Sequence, residues 1–331
     1  MHNQQVYTPF QKPQPLISFI ITYYDLPVQM LCKCINSIQA FSLSPSEREI
    51  IIIDDGSEVS PMNGLMQYGD EIIYVRQKNS GLSIARNKGI SVATGRYLQF
   101  VDADDYLVQN AYEHCIDVIK KNQDIEVMMF DFTTSNSNQT VFNDRPVCSG
   151  SEYMLKNNIH GTACGYLFQR RTLGELRFTP DIVHEDEEFT PRLLIQTEQV
   201  CVTDAKAYYY QKHANSITTS SDEMSKTKRL DDTRDIISRL NYLCDRIPLN
   251  DRLALQRRIA QLTMDYLYQT IVQTRSRREL DERIEKLRAE GLFPLPDRNY
   301  SQKYKWFRQM SNSRIGRTVL LTTLPLLKKE R

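Results

Sequence analysis

Apolar and polar positions fall in alternating blocks along the first half of the chain. Leu16-Ile17-Ser18-Phe19-Ile20-Ile21-Thr22 is a near-continuous apolar run, as carried by a parallel strand buried on both faces. Leu31, Ile35 and Ile38 then recur at helical spacing within 27–41. Ile50 to Ile53 form a second run that leads straight into Asp54-Asp55-Gly56-Ser57. A short strand follows at 72–75, a polar loop at 77–81, a helix at 83–93 and a third long run, Tyr97 to Val101, that ends in Asp102, Asp104 and Asp105. Beyond it the pattern predicts a helix over 106–121, a strand over 125–133, a loop over 135–143 and an apolar strand from Cys164 that ends in Arg170 and Arg171. Strands alternating with helices predict a mostly parallel α/β sheet. Ligands of such sheets sit beyond the carboxyl ends of the strands, and Tyr24, Asp54, Asp55, Asp102 and Asp104 all fall at such ends.

From about residue 225 the pattern becomes helical, over 226–246, 251–274 and 276–290, with Gly291 and Pro294 as stops. We therefore expect a leader (1–14), an α/β catalytic domain (15–222) and a helical C-terminal region (223–331). The 331 residues, 40% apolar and 25% charged, are those of a globular protein. No apolar run reaches spanning length, and residues 1–14 lack the apolar core of a signal peptide. The seven cysteines are scattered, and read as reduced thiols of a cytoplasmic protein. The net charge of +1 hides an asymmetry: residues 1–224 carry a net −10 and residues 225–331 a net +11. The basic half suggests a surface for something anionic: lipid headgroups, nucleic acid or the acidic half of the same chain. The segment 314–329 is apolar between basic ends, suited either to the interface of an anionic membrane or to packing as a plain helix.

Three carboxylates within four residues repel one another, and a fold that keeps them together usually supplies a cation. Asp102 and Asp104 are two apart and lean to one side of an extended segment. Such oxygen ligands suit Mg²⁺ or Mn²⁺; a solvated acidic loop or a helix cap is the alternative. Asp54-Asp55-Gly56-Ser57 reads first as a tight turn, and second as a carboxylate that accepts from a uracil N–H or a ribose hydroxyl. Asn79-Ser80-Gly81-Leu82-Ser83-Ile84-Ala85-Arg86-Asn87-Lys88-Gly89 opens a helix with small residues, where a diphosphate could meet Arg86. It lacks the spacing of a P-loop. Glu185-Asp186-Glu187-Glu188 reads as an exposed helix start that suits the helix dipole.

These stretches, from Ser18 to Asp25, Asp54 to Ser57, Asn79 to Gly89 and Ala93 to Asp105, resemble in order and spacing the family 2 glycosyltransferases of bacterial surface-polysaccharide synthesis. The resemblance covers roughly residues 14–220. It implies a GT-A fold, a nucleotide-diphosphate sugar donor, a divalent metal and transfer with inversion. UDP is expected as the commonest nucleotide of the family. Thr22 stands where many members have Pro. On this resemblance Thr22, Tyr24, Asp54, Asp55, Asn79, Arg86 and Asp102 would bind the donor. Asp102 and Asp104 would hold Mn²⁺ or Mg²⁺, and His213 could join them. Asp186 would be the general base, with Glu185 beside it on the acceptor side. The acceptor would be a saccharide or a lipid-linked saccharide at the inner face of the cytoplasmic membrane. A sugar-1-phosphate nucleotidyltransferase would need a Gly-rich basic loop where Thr22 to Pro27 stand. A nucleic-acid-binding protein would rest on the basic C-terminal region alone, against an acidic front half and without a known recognition motif. A catalytically dead module would not need the acidic pair and the base.

Overall fold

The apolar runs of the N-terminal half become parallel strands because each is buried on both faces. In the computed structural model, which describes residues 14–135, 139–212 and 223–327, they are β1 (Ile17–Tyr23), β2 (Arg48–Asp54), β3 (Ile72–Arg76) and β4 (Tyr97–Asp102). Between them run α1 (Val28–Gln39), α2 (Met62–Leu65) and α3 (Leu82–Val92). Phe19, Ile20, Ile21 and Ile50 to Ile53 are almost wholly inaccessible; each such side chain stabilises the fold by about 1.5–3 kcal/mol. The order β3-β2-β1-β4 makes the chain cross back to place β4 on the free side of β1. The crossing creates a switch point, and the register sets Thr22 opposite Asp102 and Tyr23 opposite Asp54. α3 lies close on β1 because a Cβ at Gly89 would collide with Ile20.

Beyond β4 the sheet continues β7-β6-β8-β5 and becomes mixed: β6 and β8 are parallel, the other pairs antiparallel. The chain runs through β5 (Tyr106–Leu107), α4 (Gln109–Lys121), β6 (Val127–Thr133), α5 (Gly150–Lys156), β7 (Tyr166–Gln169), α6 (Glu185–Leu194) and β8 (Val200–Tyr209). β7 is antiparallel to both neighbours. The helix expected over 106–121 starts only at Gln109, because Tyr106 stacks on Tyr209 at 4.3 Å and pairs its strand with β8. α5 was not foreseen.

The C-terminal region is helical as expected: α7 (Glu223–Cys244), α8 (Leu249–Thr274), α9 (Arg277–Ala289), α10 (Gln302–Asn312) and α11 (Arg314–Leu327). α8 is buried along most of its length and packs on α7 and on α5. Arg257 of α8 donates to Asn158 Oδ1 (2.9 Å), and Ser151 of α5 donates to Asp251 (2.6 Å). α11 packs on α8 and α10 through buried Leu320 and Leu324, while Arg317 donates to the Ser311 carbonyl at 2.8 Å. None of the described helices is long and apolar enough to cross a membrane. The seven cysteines are all free thiols.

Candidate active site

The cleft at the carboxyl ends of β1 and β4 is built first from the turn after β2. Asp54 points inward and is inaccessible to solvent. Its Oδ1 accepts from the Ser57 amide (2.9 Å) and hydroxyl (2.6 Å), and its Oδ2 from Tyr74 (2.6 Å). Burial raises its pKa, but these hydrogen bonds and Arg76 outweigh burial and hold the carboxyl below its ordinary range. Asp54 is thus the turn residue of the first reading, and the donor contact expected of it has no free oxygen in this arrangement. Asp55 Oδ1 accepts from Gln77 Nε2 (2.7 Å) and Ser80 N (2.9 Å), and its Oδ2 from Gly81 N (2.8 Å). The anion position ahead of α3 is therefore taken by the chain's own carboxylate. Gly56, at φ 79°, fits because a Cβ there would press on the backbone of Gln77 and Asn79. Asn79 itself is exposed, Thr22 is half-buried, and Tyr24 is 48% exposed at the end of β1.

Arg86 departs from expectation most. It is buried between Phe100 and Phe178, with its guanidinium carbon 5.9 and 5.4 Å from the ring centroids. One arm bonds Asp102 Oδ1 at 3.2 Å, and the other is ion-paired with Glu185. The guanidinium is thus engaged within the protein: it neutralises one carboxylate of β4 and one of α6. The pair raises its pKa further, against burial that lowers it. Asn87, the next residue of α3, clamps the backbone of Phe178 in both directions, at 2.8 and 2.9 Å.

Asp102, Asp104 and Asp105 divide their work. The Asp102 side chain is 39% exposed with one oxygen on Arg86, and Asp104 is half-buried. Asp105 is buried, accepting from Tyr208 (2.7 Å) and from the Gln211 amide (2.8 Å), and burial, with Asp102 and Asp104 adding to it, pushes its pKa up to about 7. Among the described residues no group of three or more His, Cys, Asp or Glu is arranged to cage a metal. A partly exposed Asp102 and a half-buried Asp104 two residues on match Mg²⁺ or Mn²⁺ chemistry in kind, in which a site offers one or two carboxylates and leaves the rest to substrate phosphates and water. The residues fit such an ion. His213 lies outside the described residues.

Four consecutive acids open α6, and at 100° per residue they point to four sides. Glu185 pairs with Arg86, and Glu187 with Arg258 of α8. Glu188 accepts from Arg239 of α7 (3.0 Å), Arg192 (3.1 Å) and Thr179 (3.0 Å). Among the described residues Asp186 alone of the four makes no hydrogen bond or ion pair with another side chain. Burial raises its pKa, Arg86 and His184 oppose the rise, and Asp102 adds to it. Asp102, Arg86 and Asp186 therefore act within one another's fields.

Sequence reasoning missed Tyr208, whose hydroxyl accepts from the Asp102 amide (3.1 Å) while donating to Asp105. It also missed Arg239 and Arg258. Their signal was the charge asymmetry, which pairs a basic C-terminal half with an acidic front.

Residues 18–176 match the model of Glycosyl transferase family 2. The chain is 28% identical over 222 residues to the uncharacterized glycosyltransferase EpsJ of Bacillus subtilis, covering 62% of this chain and 63% of EpsJ. It is 24% identical over 204 residues to the minor teichoic acid biosynthesis protein GgaB of the same organism, covering 59% of this chain and 23% of GgaB. The chain thus spans less than two thirds of the length of either relative. Among solved structures, residues 1–349 of TarS from S. aureus superpose with a TM-score of 0.64 at 16% identity, covering 95% of this chain and 91% of that one. TarS has also been solved with UDP-GlcNAc, at a TM-score of 0.59 and 15% identity over the same shares. The mannosyltransferase PcManGT of Pyrobaculum calidifontis, solved with GDP-Man and Mn²⁺, superposes with a TM-score of 0.57 at 11% identity, covering 96% and 88%. The sheet with its flanking helices is a GT-A fold followed by the helices α7 to α11, and through residues 18–176 the chain belongs to glycosyltransferase family 2.

Proposed function

We propose that the chain transfers a sugar from a UDP-sugar, with inversion, to a hydroxyl of a surface glycan or its lipid-linked precursor. The observation that carries this reading is Asp186, which among the described residues is the carboxylate of the four that bonds no other side chain, within the field of the donor-side Asp102. A raised carboxylate pKa moves a base toward neutral pH, where base catalysis is most effective. Asp186 takes the proton of the acceptor hydroxyl as its oxygen attacks the anomeric carbon from the face opposite the nucleotide. Tyr24 and the exposed rim at Asn79 receive the nucleoside, and the half-buried Thr22 lies beside them. Asp102 and Asp104 would hold a divalent ion that, when bound, neutralises charge growing on the leaving diphosphate. Arg86 keeps Asp102 and Glu185 apart from one another's repulsion. The bound donor of TarS supports UDP, and the name of GgaB supports a cell-surface polymer.

A thermal-shift screen of UDP-, GDP- and dTDP-sugars with and without Mn²⁺ tests it. Ligand at about 100 times its Kd stabilises by about 2.7 kcal/mol. We expect the largest rise for a UDP-sugar with Mn²⁺. A set of donors that all leave the midpoint unmoved contradicts the reading.

The membrane contact expected of the C-terminal end is kept as a second proposal for α11 alone. That helix exposes Ile315, at 79%, together with Val319 and Leu326 on the side away from Leu320 and Leu324. Arg314 is exposed beside them, and Lys303 and Lys305 are exposed on α10. An apolar stripe flanked by cations suits the surface of an anionic bilayer. Nucleic acid is not favoured, since much of the C-terminal basic charge is engaged with acids of the chain.

A further inference from the structure

The same first turn of α6 is held from two sides, and the second side belongs to the C-terminal helices. Arg258 of α8 is buried; it pairs with Glu187 and donates to the Ile159 carbonyl at 2.6 Å. Burial pushes its pKa down to about 10. Arg239 of α7 donates to Glu188 at 3.0 Å. Asp232 of α7 accepts from the Val183 amide at 2.8 Å and is itself paired with Lys228, which also donates to the Asp181 carbonyl at 2.8 Å. The segment Asp181–His184 leads into α6 through two left-handed residues, Asp181 and His184, a conformation that ordinary side chains rarely hold unaided. Four contacts from α7 and α8 thus fix both the approach to the turn and two of its carboxylates. Arg86 fixes the remaining neighbour from the α3 side.

We propose that Arg258, Arg239 and Asp232 are positioning residues for transfer: the C-terminal helices set the direction of Asp186 by holding Glu187, Glu188 and Val183 around it. None of the three needs to touch donor or acceptor. The inference rests on Asp186 being the base. It assigns to the C-terminal region a part in catalysis that a membrane anchor or a mere stabilising pack would not have. Displacement of a reacting group by about 1 Å can cost about 10²-fold in rate.

The test separates positioning from stability. Arg258→Met alone leaves Glu187 without its cation and is expected to lower both the melting temperature and turnover. Arg258→Met combined with Glu187→Gln removes both charges, so the melting temperature should recover most of the loss. Turnover is read as UDP release from UDP-GlcNAc with water as acceptor, and donor affinity as calorimetric UDP binding with Mn²⁺. We expect the double variant to bind UDP like the parent while its kcat stays about 10–10²-fold low, and Arg258→Lys to restore part of it. Recovery of kcat together with the melting temperature overturns the inference and leaves the pair structural. Asp186→Asn in parallel distinguishes the two claims. Full turnover in that variant means the base is misassigned. A dead Asp186→Asn beside a fully active double variant refutes only the positioning role.

Discussion

At the scale of residues, the site is a set of carboxylates sorted by what already holds them. Asp54 and Asp55 are acidic neighbours in sequence, yet both are committed to the protein: one closes its own turn, the other ties down the loop ahead of α3. The hydrogen bonds that lower the pKa of Asp54 give it a stability contribution present above its unfolded value near 4. That contribution is lost as pH falls through the lower folded value. Asp54→Asn should therefore lower stability at neutral pH and flatten the acid limb of a denaturation profile below about pH 4; an unchanged limb would show that Asp54 is not a source of it. Asp55→Ala should cost about 1.5–3 kcal/mol, the range for hydrogen bonds to a charged group, read by urea denaturation. These roles were half legible. The sequence offered a turn and a ligand for Asp54-Asp55 without deciding between them, because only Ser57 is a local partner and the others, Tyr74, Gln77, Ser80 and Gly81, lie twenty or more residues away.

At the scale of elements, strands were the easiest to read and the acidic helix the hardest. Each of β1, β2 and β4 is buried on both faces, so its apolar run stands out from the polar loops around it. β7 is legible as the apolar strand after Cys164, though its antiparallel direction is not; β5 is harder, because a two-residue strand leaves no period of its own and the pairing of Tyr106 with Tyr209 is a long-range fact. The four acids of α6 had equal standing by spacing alone, and the family resemblance pointed to Asp186. The structure separates them because each of the other three meets an arginine from a different helix. Arg86 is the most instructive case. Its place in the motif suggested a phosphate ligand, whereas its neighbours Phe100 and Phe178 take the guanidinium into the interior. Arg86→Met should leave Glu185 buried and uncompensated, and so cost about 3–5 kcal/mol. Guanidinium chloride unfolding measures it; a loss below about 1 kcal/mol would show that the pair contributes little.

At the scale of the whole molecule, an acidic α/β domain and a basic helical region are parts of one electrostatic arrangement. The charge asymmetry was visible in the sequence, but its use was not: part of the C-terminal surplus closes on the acids of α6 and not on an outside partner. Among the described residues, the membrane contact proposed above would fall to the outer stripe of α11. Truncation at residue 314 would also expose the surfaces that Leu320 and Leu324 cover, so substitution is the cleaner probe. Ile315→Glu with Val319→Glu should reduce co-sedimentation with anionic vesicles at low salt and leave the melting temperature within a few degrees. Undiminished vesicle binding would remove α11 from the membrane account. The central claim is that both halves of the molecule converge on one catalytic carboxylate, and the most direct measurement of it is the rate of UDP release by Asp186→Asn from the UDP-sugar that the thermal-shift screen selects, at saturating donor and Mn²⁺. The account predicts a fall of about 10²–10⁴-fold with calorimetric UDP affinity unchanged; turnover equal to the parent's would contradict it.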